Sequence, residues 1–179
     1  MKLFEILKGD STKDISWNQV SPIKKIGEFE IGDEFFGITF TNFKTEKDIQ
    51  FKDLKNHYDL LLISFGLKKE DGKYSHKMRN TSSFPSSVLN TIITAITKEL
   101  KQDQTLVFFA KRTTDTEEEF QKRKKFYEML AKLYERKEYN LKMLSFDGKS
   151  QAYFLSKNEL IEKDLNILFT TLGHKLDKK

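Results

Sequence analysis

The sequence predicts an α/β fold, a mixed central sheet flanked by helices that is antiparallel at its N-terminal strands and in a C-terminal hairpin. Three observations carry that expectation. Residues 58–67 are apolar almost without interruption, as in a strand covered on both faces. Residues 56–137 then run strand, polar loop, helix, strand, long basic helix, an order that implies a right-handed parallel crossover with ligands at the carboxyl ends of the strands. Residues 27–43 and 139–156 alternate apolar and polar side chains around the turn pairs Gly32-Asp33 and Asp147-Gly148.

Taken in order, the first 25 residues hold a short apolar segment at 3–7, then Trp17, Val20, Pro22 and Ile23, and suit an N-terminal strand or helix held down by Trp17. In the hairpin at 27–43, Phe29, Ile31, Phe36, Ile38, Phe40 and Phe43 supply the inward faces. A polar segment, 44–56, leads into the central strand. After a turn at 70–73 comes the polar run 75–83 and then Phe84-Pro85-Ser86-Ser87. Ser83 is an N-cap candidate, and Pro85 fits the first helical turn, where a missing N–H costs nothing. Val88, Leu89, Ile92, Ile93, Ile96 and Leu100 then recur at helical spacing. The N-terminus of this helix offers an anion its free N–H groups and a partial positive charge.

Residues 105–110 read as the second strand, and Thr116 before Glu117, Glu118 and Glu119 reads as the start of a helix running to Lys137. After the closing hairpin, Ser156 or Asn158 is placed to cap a last helix carrying Leu160, Ile161, Leu165, Leu168 and Leu172, with Gly173 as its stop and 174–179 as a frayed tail.

A chain of 179 residues is expected to form a single domain, 1–179, with a core of its own. The absence of cysteine excludes disulfides, thiolate metal sites and cysteine nucleophiles. His57, His76 and His174 are scattered, with no partner at metal-binding spacing, so no metal site is expected. No apolar run approaches membrane-spanning length and no signal-peptide core is present, which leads us to expect an intracellular protein without membrane contact. The formal charge of +5 is spread along the chain and reads as a lysine-rich solvated surface before it reads as a nucleic-acid footprint. Even the densest run, 122–125, follows three glutamates that can pair with it at i, i+4.

The element order is similar to that of the Gcn5-related N-acetyltransferase (GNAT) fold. Residues 58–137 further resemble a set of phage-encoded proteins with a diverged, GNAT-like version of it, through Asn80-Thr81-Ser82-Ser83, Asn90-Thr91-Ile92, Phe108-Phe109-Ala110-Lys111 and Arg123 followed by Tyr127. The resemblance implies acetyl-CoA as cofactor, with its pyrophosphate near Arg79, Asn80, Ser82, Ser83 and Ser86. It also implies Tyr127 as the general acid for the departing thiolate, with a carboxylate such as Glu34 or a water chain as base. The residues depart from that pattern in one respect. No glycine lies between Tyr74 and Leu100, and Phe84-Pro85 stands where bare backbone would approach the phosphates. Tyr127 also shares one face of its helix with Phe120, Arg123, Leu130, Ala131 and Tyr134, and so reads equally as a partly buried aromatic of an amphipathic helix.

The resemblance, taken with its departures, implies a phage protein with a degenerate acetyltransferase-like fold. It would act without catalysis and without a cofactor, as a virion-associated structural protein or as a binder of a phage or host protein in the host cytoplasm. An exposed aromatic face including Trp17, Phe43 or Tyr134 would mark it. The alternative is an acetyl-CoA-dependent N-acetyltransferase with an atypical pyrophosphate loop. A third class, nucleic-acid association through 122–125 and the basic tail, would show as steep salt dependence.

Overall fold

A computed structural model describes residues 12–72, 74–75, 86–111, 117–146 and 148–177. It is α/β with a mixed sheet. The chain divides into two compact units, one formed by the chain up to Phe40 with Ser64–Leu100, the other by Thr41–Ile63 with Lys101–Lys179.

The first unit holds β1 (Ser16–Ser21), β2 (Lys24–Ile31), the start of β3 (Glu34–Lys44), the end of β4 (Asp59–Lys68), β5 (Tyr74–Ser75) and α1 (Ser86–Glu99). Strands β1 to β4 are neighbours in sequence order, and β5 adds to β4. Gly32 makes the β2–β3 turn possible, because its φ of 63° lies in the left-handed region that side chains disfavour. Alternation sends Phe29, Phe36, Ile38, Phe40 and Phe65 into the core. Phe36 stacks on Phe29 at 5.6 Å and on Phe65 at 5.8 Å, a row of rings across three strands. Helix α1 buries Val88, Leu89, Ile92, Ile93 and Ile96 as its spacing predicts, and its Thr91 hydroxyl accepts from the Lys13 N–H at 2.9 Å.

In the second unit the order is β4, β6 (Thr105–Lys111), β8 (Ser150–Ser156), β7 (Asn140–Phe146). β4 and β6 run parallel, with Leu60 beside Thr105 and Ile63 beside Phe108, as the crossover pattern requires. β6–β8 and β8–β7 are antiparallel. Helix α2 (Glu117–Glu135) packs on the face that carries Phe108 and Tyr153. Helix α3 (Glu162–Asp177) lies on the opposite face, where Phe51, Leu54, Leu60, Val107, Phe154, Leu165 and Leu168 form one cluster.

Phe43 falls out of step with Phe36, Ile38 and Phe40, and so packs half-buried against that second cluster, edge-on to Phe51 at 5.4 Å. The polar segment after β3 forms two short 3-10 turns, Thr45–Lys47 and Ile49–Phe51. Asp164, fully buried in the first turn of α3, ties the following loop down by accepting from the Lys55 N–H at 2.8 Å, the Asn56 N–H at 3.0 Å and the Tyr58 hydroxyl at 3.0 Å. A carboxylate there also meets the positive end of the helix dipole. Gly173 does not stop α3, which continues to Asp177. A Cβ added there would stand 3.6 Å from Phe109 Cζ, an ordinary contact distance, so the structure gives no steric reason for a glycine at this position.

Candidate functional site

Two places hold the residues singled out from the sequence. The first lies under α2, whose inward face carries Arg123, Phe126, Tyr127, Leu130, Ala131 and Tyr134, all buried. Tyr127 is 2% exposed and its ring stacks on Phe108 of β6, with centroids 5.4 Å apart and planes at 17°. Next to Phe108 in the sheet is Tyr153, and next to Tyr153 is Met143. The Tyr153 hydroxyl donates to the Lys124 carbonyl at 3.2 Å and accepts from Gln151 Nε2 at 2.9 Å, and Gln151 Nε2 also reaches the Met143 sulfur at 2.6 Å. Burial first, then the negative charge of Glu128, pushes the Tyr153 phenol up to about 12, against a weaker opposing effect of the Gln151 bond. Tyr153 therefore stays protonated at neutral pH and serves as a donor inside the packing. The Tyr153 hydroxyl is thus engaged both by α2, through the Lys124 carbonyl, and by Gln151 Nε2.

Of the other residues expected around a coenzyme, Arg79, Asn80, Ser82 and Ser83 lie outside the described residues, as does the side chain of Ser86, which opens α1. Glu34, half-buried, begins β3 just past the hairpin turn. His57 and His174 are exposed, and among the described residues no three ligating side chains gather where they could hold a metal.

The second place is the β1–β2 hairpin. Trp17 pairs across the strands with Gly27, and the missing side chain lets the indole lie flat over β2. A Cβ on Gly27 would stand 2.7 Å from Trp17 Cζ3 and 2.5 Å from Ile15 Cγ2. The indole thereby reaches Phe40 of β3 and stacks on it at 5.2 Å. Lys25, held by an ion pair to Glu99 at the end of α1, sets its ammonium 4.5 Å from the indole centroid. Such a cation–π contact contributes about 0.5–1 kcal/mol. Trp17 is thus fixed by three neighbours and still 40% exposed.

Beyond Trp17 the strand bulges between Gln19 and Ser21, which takes Val20 out of register. The Gln19 amide secures the bulge by donating to the Ser21 and Lys24 carbonyls at 2.6 and 3.3 Å. Val20 at 52% and Ile23 at 49% stand clear of the sheet. Three of the seven large hydrophobic side chains described as exposed therefore fall between Trp17 and Ile23. That clustering, rather than any single exposed side chain, sets the hairpin apart.

Of the aromatics expected on an exposed face, only Trp17 is there. Tyr134 is buried edge-on to Tyr139 at 5.6 Å, because it falls on the inward stripe of α2, and Phe43 is taken up by its own core cluster. Sequence reasoning missed Lys25 and Gly27 as supports of the indole. The available signal was a glycine inside an alternating strand, which marks a close approach.

Comparison with protein-family models, with curated proteins and with solved structures finds no match to the chain.

Proposed function

We propose that the chain works by binding a protein partner through the β1–β2 hairpin, without chemistry of its own. The observation that carries this reading is Trp17, an indole held in one orientation by Gly27, Phe40 and Lys25 yet open to solvent beside Val20 and Ile23. A large side chain ordered before binding loses little entropy on contact, and tryptophan is among the commonest binding anchors. The resemblance to phage-encoded proteins makes that partner a phage or host protein, met in the host cytoplasm or in the virion; this part rests on the resemblance alone. The test is co-purification from the source cells. A chain carrying Trp17→Ala, Val20→Ser and Ile23→Ser, with an unchanged circular dichroism spectrum, is expected to lose a stoichiometric partner that the native chain retains. Equal retention by both chains would sink the reading.

A second reading, an acetyl-CoA-dependent N-acetyltransferase of diverged GNAT-like fold, draws on one observation. Strands β4 and β6 are parallel, and α2 sets Tyr127 against β6 four residues after Arg123, the order that the resemblance implies. Calorimetric titration with acetyl-CoA separates the two. Micromolar binding, with acetyl transfer that falls about 100-fold or more in Tyr127→Phe, would favour the enzyme. No heat and no thermal stabilisation at millimolar acetyl-CoA would retire it.

A further inference from the structure

On β7, the last strand in the sheet order, an exposed thioether sulfur meets a buried amide. Met143 stands beside Tyr153 of β8 in the ladder and is 55% exposed. Gln151, two residues before Tyr153 and so on the same face of β8, is 5% exposed. The Tyr153 phenol spends its one proton on the Lys124 carbonyl, so the group that faces its oxygen has to be a donor. That turns the NH2 end of the Gln151 amide toward Tyr153, and the same nitrogen is in contact with the Met143 sulfur. One of its two N–H groups goes to the phenol. The other is left with a thioether, a weak acceptor, where a buried donor calls for a strong one.

A sulfoxide oxygen in place of the bare sulfur would meet that need. We propose that Met143 is a modification site, oxidised by hydrogen peroxide, and that the Gln151 amide holds the product. In the step a sulfur lone pair attacks one peroxide oxygen, and the S–O bond forms as the O–O bond breaks. The sulfur is oxidised by two electrons and the peroxide is reduced. The second oxygen departs as hydroxide and takes the proton of the attacked oxygen, giving methionine sulfoxide and water. Exposure admits the peroxide to the sulfur, and the three rotatable bonds of the side chain let the new oxygen turn to the Gln151 N–H. In a core the same oxidation disrupts packing. Met143 has little packing to lose, since more than half of its surface already faces solvent, so the better-satisfied amide makes the oxidised fold the more stable one. The other methionine among the described residues, Met129 on α2, is half-buried. Met143 and Gln151 belong to the second unit and the β1–β2 hairpin to the first, so the two proposals stand or fall separately.

The test treats the full chain with dilute hydrogen peroxide, maps its peptides by mass spectrometry and follows its thermal midpoint. The chain has no cysteine to consume the oxidant. Met143 sulfoxide is expected to accumulate at least about tenfold faster than Met129 sulfoxide, as their exposures dictate. Once Met143 is converted, the midpoint is expected to rise by about 2–4 °C, the shift that one net hydrogen bond gives a chain of this size. Met143→Leu, which has no sulfur at that position, should show no rise. Gln151→Leu, which keeps the sulfur and removes the donor, should show none either; should that variant not fold, the Met143→Leu comparison decides alone, because an exposed position tolerates the change. Equal oxidation rates at 143 and 129, a native midpoint that stays level or falls, or the same rise in a folded variant would overturn the proposal.

Discussion

Gly27 is where the hairpin surface is most sensitive to a single substitution. Its missing Cβ is the space that Trp17 and Ile15 fill, and a methyl group there would stand 2.5 Å from Ile15 Cγ2, a distance that something must yield. Gly27→Ala is therefore expected to lift the indole off Phe40, shift its fluorescence to longer wavelength and cost about 1–3 kcal/mol. As Trp17 is the only tryptophan, emission and urea denaturation report both effects on one sample. Two tyrosines make a second prediction. Burial pushes Tyr58 up to about 12, assisted by its hydrogen bond to the Asp164 carboxylate, and burial does the same for Tyr153. An unfolded tyrosine titrates near 10, so above that pH the unfolded chain releases protons that the folded chain retains. The stability these phenols contribute is thus fully present below about pH 10 and is lost as pH rises toward 12, by up to about 3 kcal/mol for each. Denaturation midpoints measured from pH 9 to pH 12 should fall across that window, and Tyr58→Phe should flatten the fall.

At the scale of elements, the end of α2 shows how local chemistry sets a boundary. The Tyr139 N–H donates to the Tyr134 carbonyl at 3.2 Å and the Glu138 N–H to the Glu135 carbonyl at 3.1 Å, with Glu138 at a φ of 68°. This is a Schellman ending, and the edge-on contact of Tyr139 with Tyr134 supplies its hydrophobic pair. Glycine usually fills the left-handed position, where a side chain costs about 1–2 kcal/mol. Glu138→Gly is expected to raise stability by about 1 kcal/mol, read from the thermal midpoint; an unchanged or lowered midpoint would count against this ending. The strands and helices themselves were legible in the sequence because each obeys one period. Residues 105–110 and the apolar positions of α1 lie where spacing put them. Features that depend on tertiary space were not legible. Gly173 looks like a stop signal, yet α3 runs through it to Asp177. The Val20 bulge has no local signature, and the tie from Asp164 to Lys55, Asn56 and Tyr58 joins residues more than a hundred positions apart.

At the scale of the whole molecule, composition and element order were enough to anticipate an α/β chain with a mixed sheet, and among the described residues no helix is long and apolar enough to cross a membrane. They were poorer guides to the site. Trp17 could be picked out as an exposed anchor, but the side chains that fix it come from β2, β3 and α1, and no spacing rule links them. Tyr134 was placed on the surface by its chemistry and in the core by its helical phase, and phase decided. The measurement that bears most directly on binding through the hairpin is photo-cross-linking in the source cells, with a photoreactive amino acid in place of Val20 and, in a separate chain, in place of Gln50. Both positions are exposed, and only the first adjoins Trp17. A discrete adduct from position 20, absent from position 50 and lost when Trp17→Ala is added, is the expected result. Indistinguishable labelling from the two positions would contradict a binding role for the hairpin.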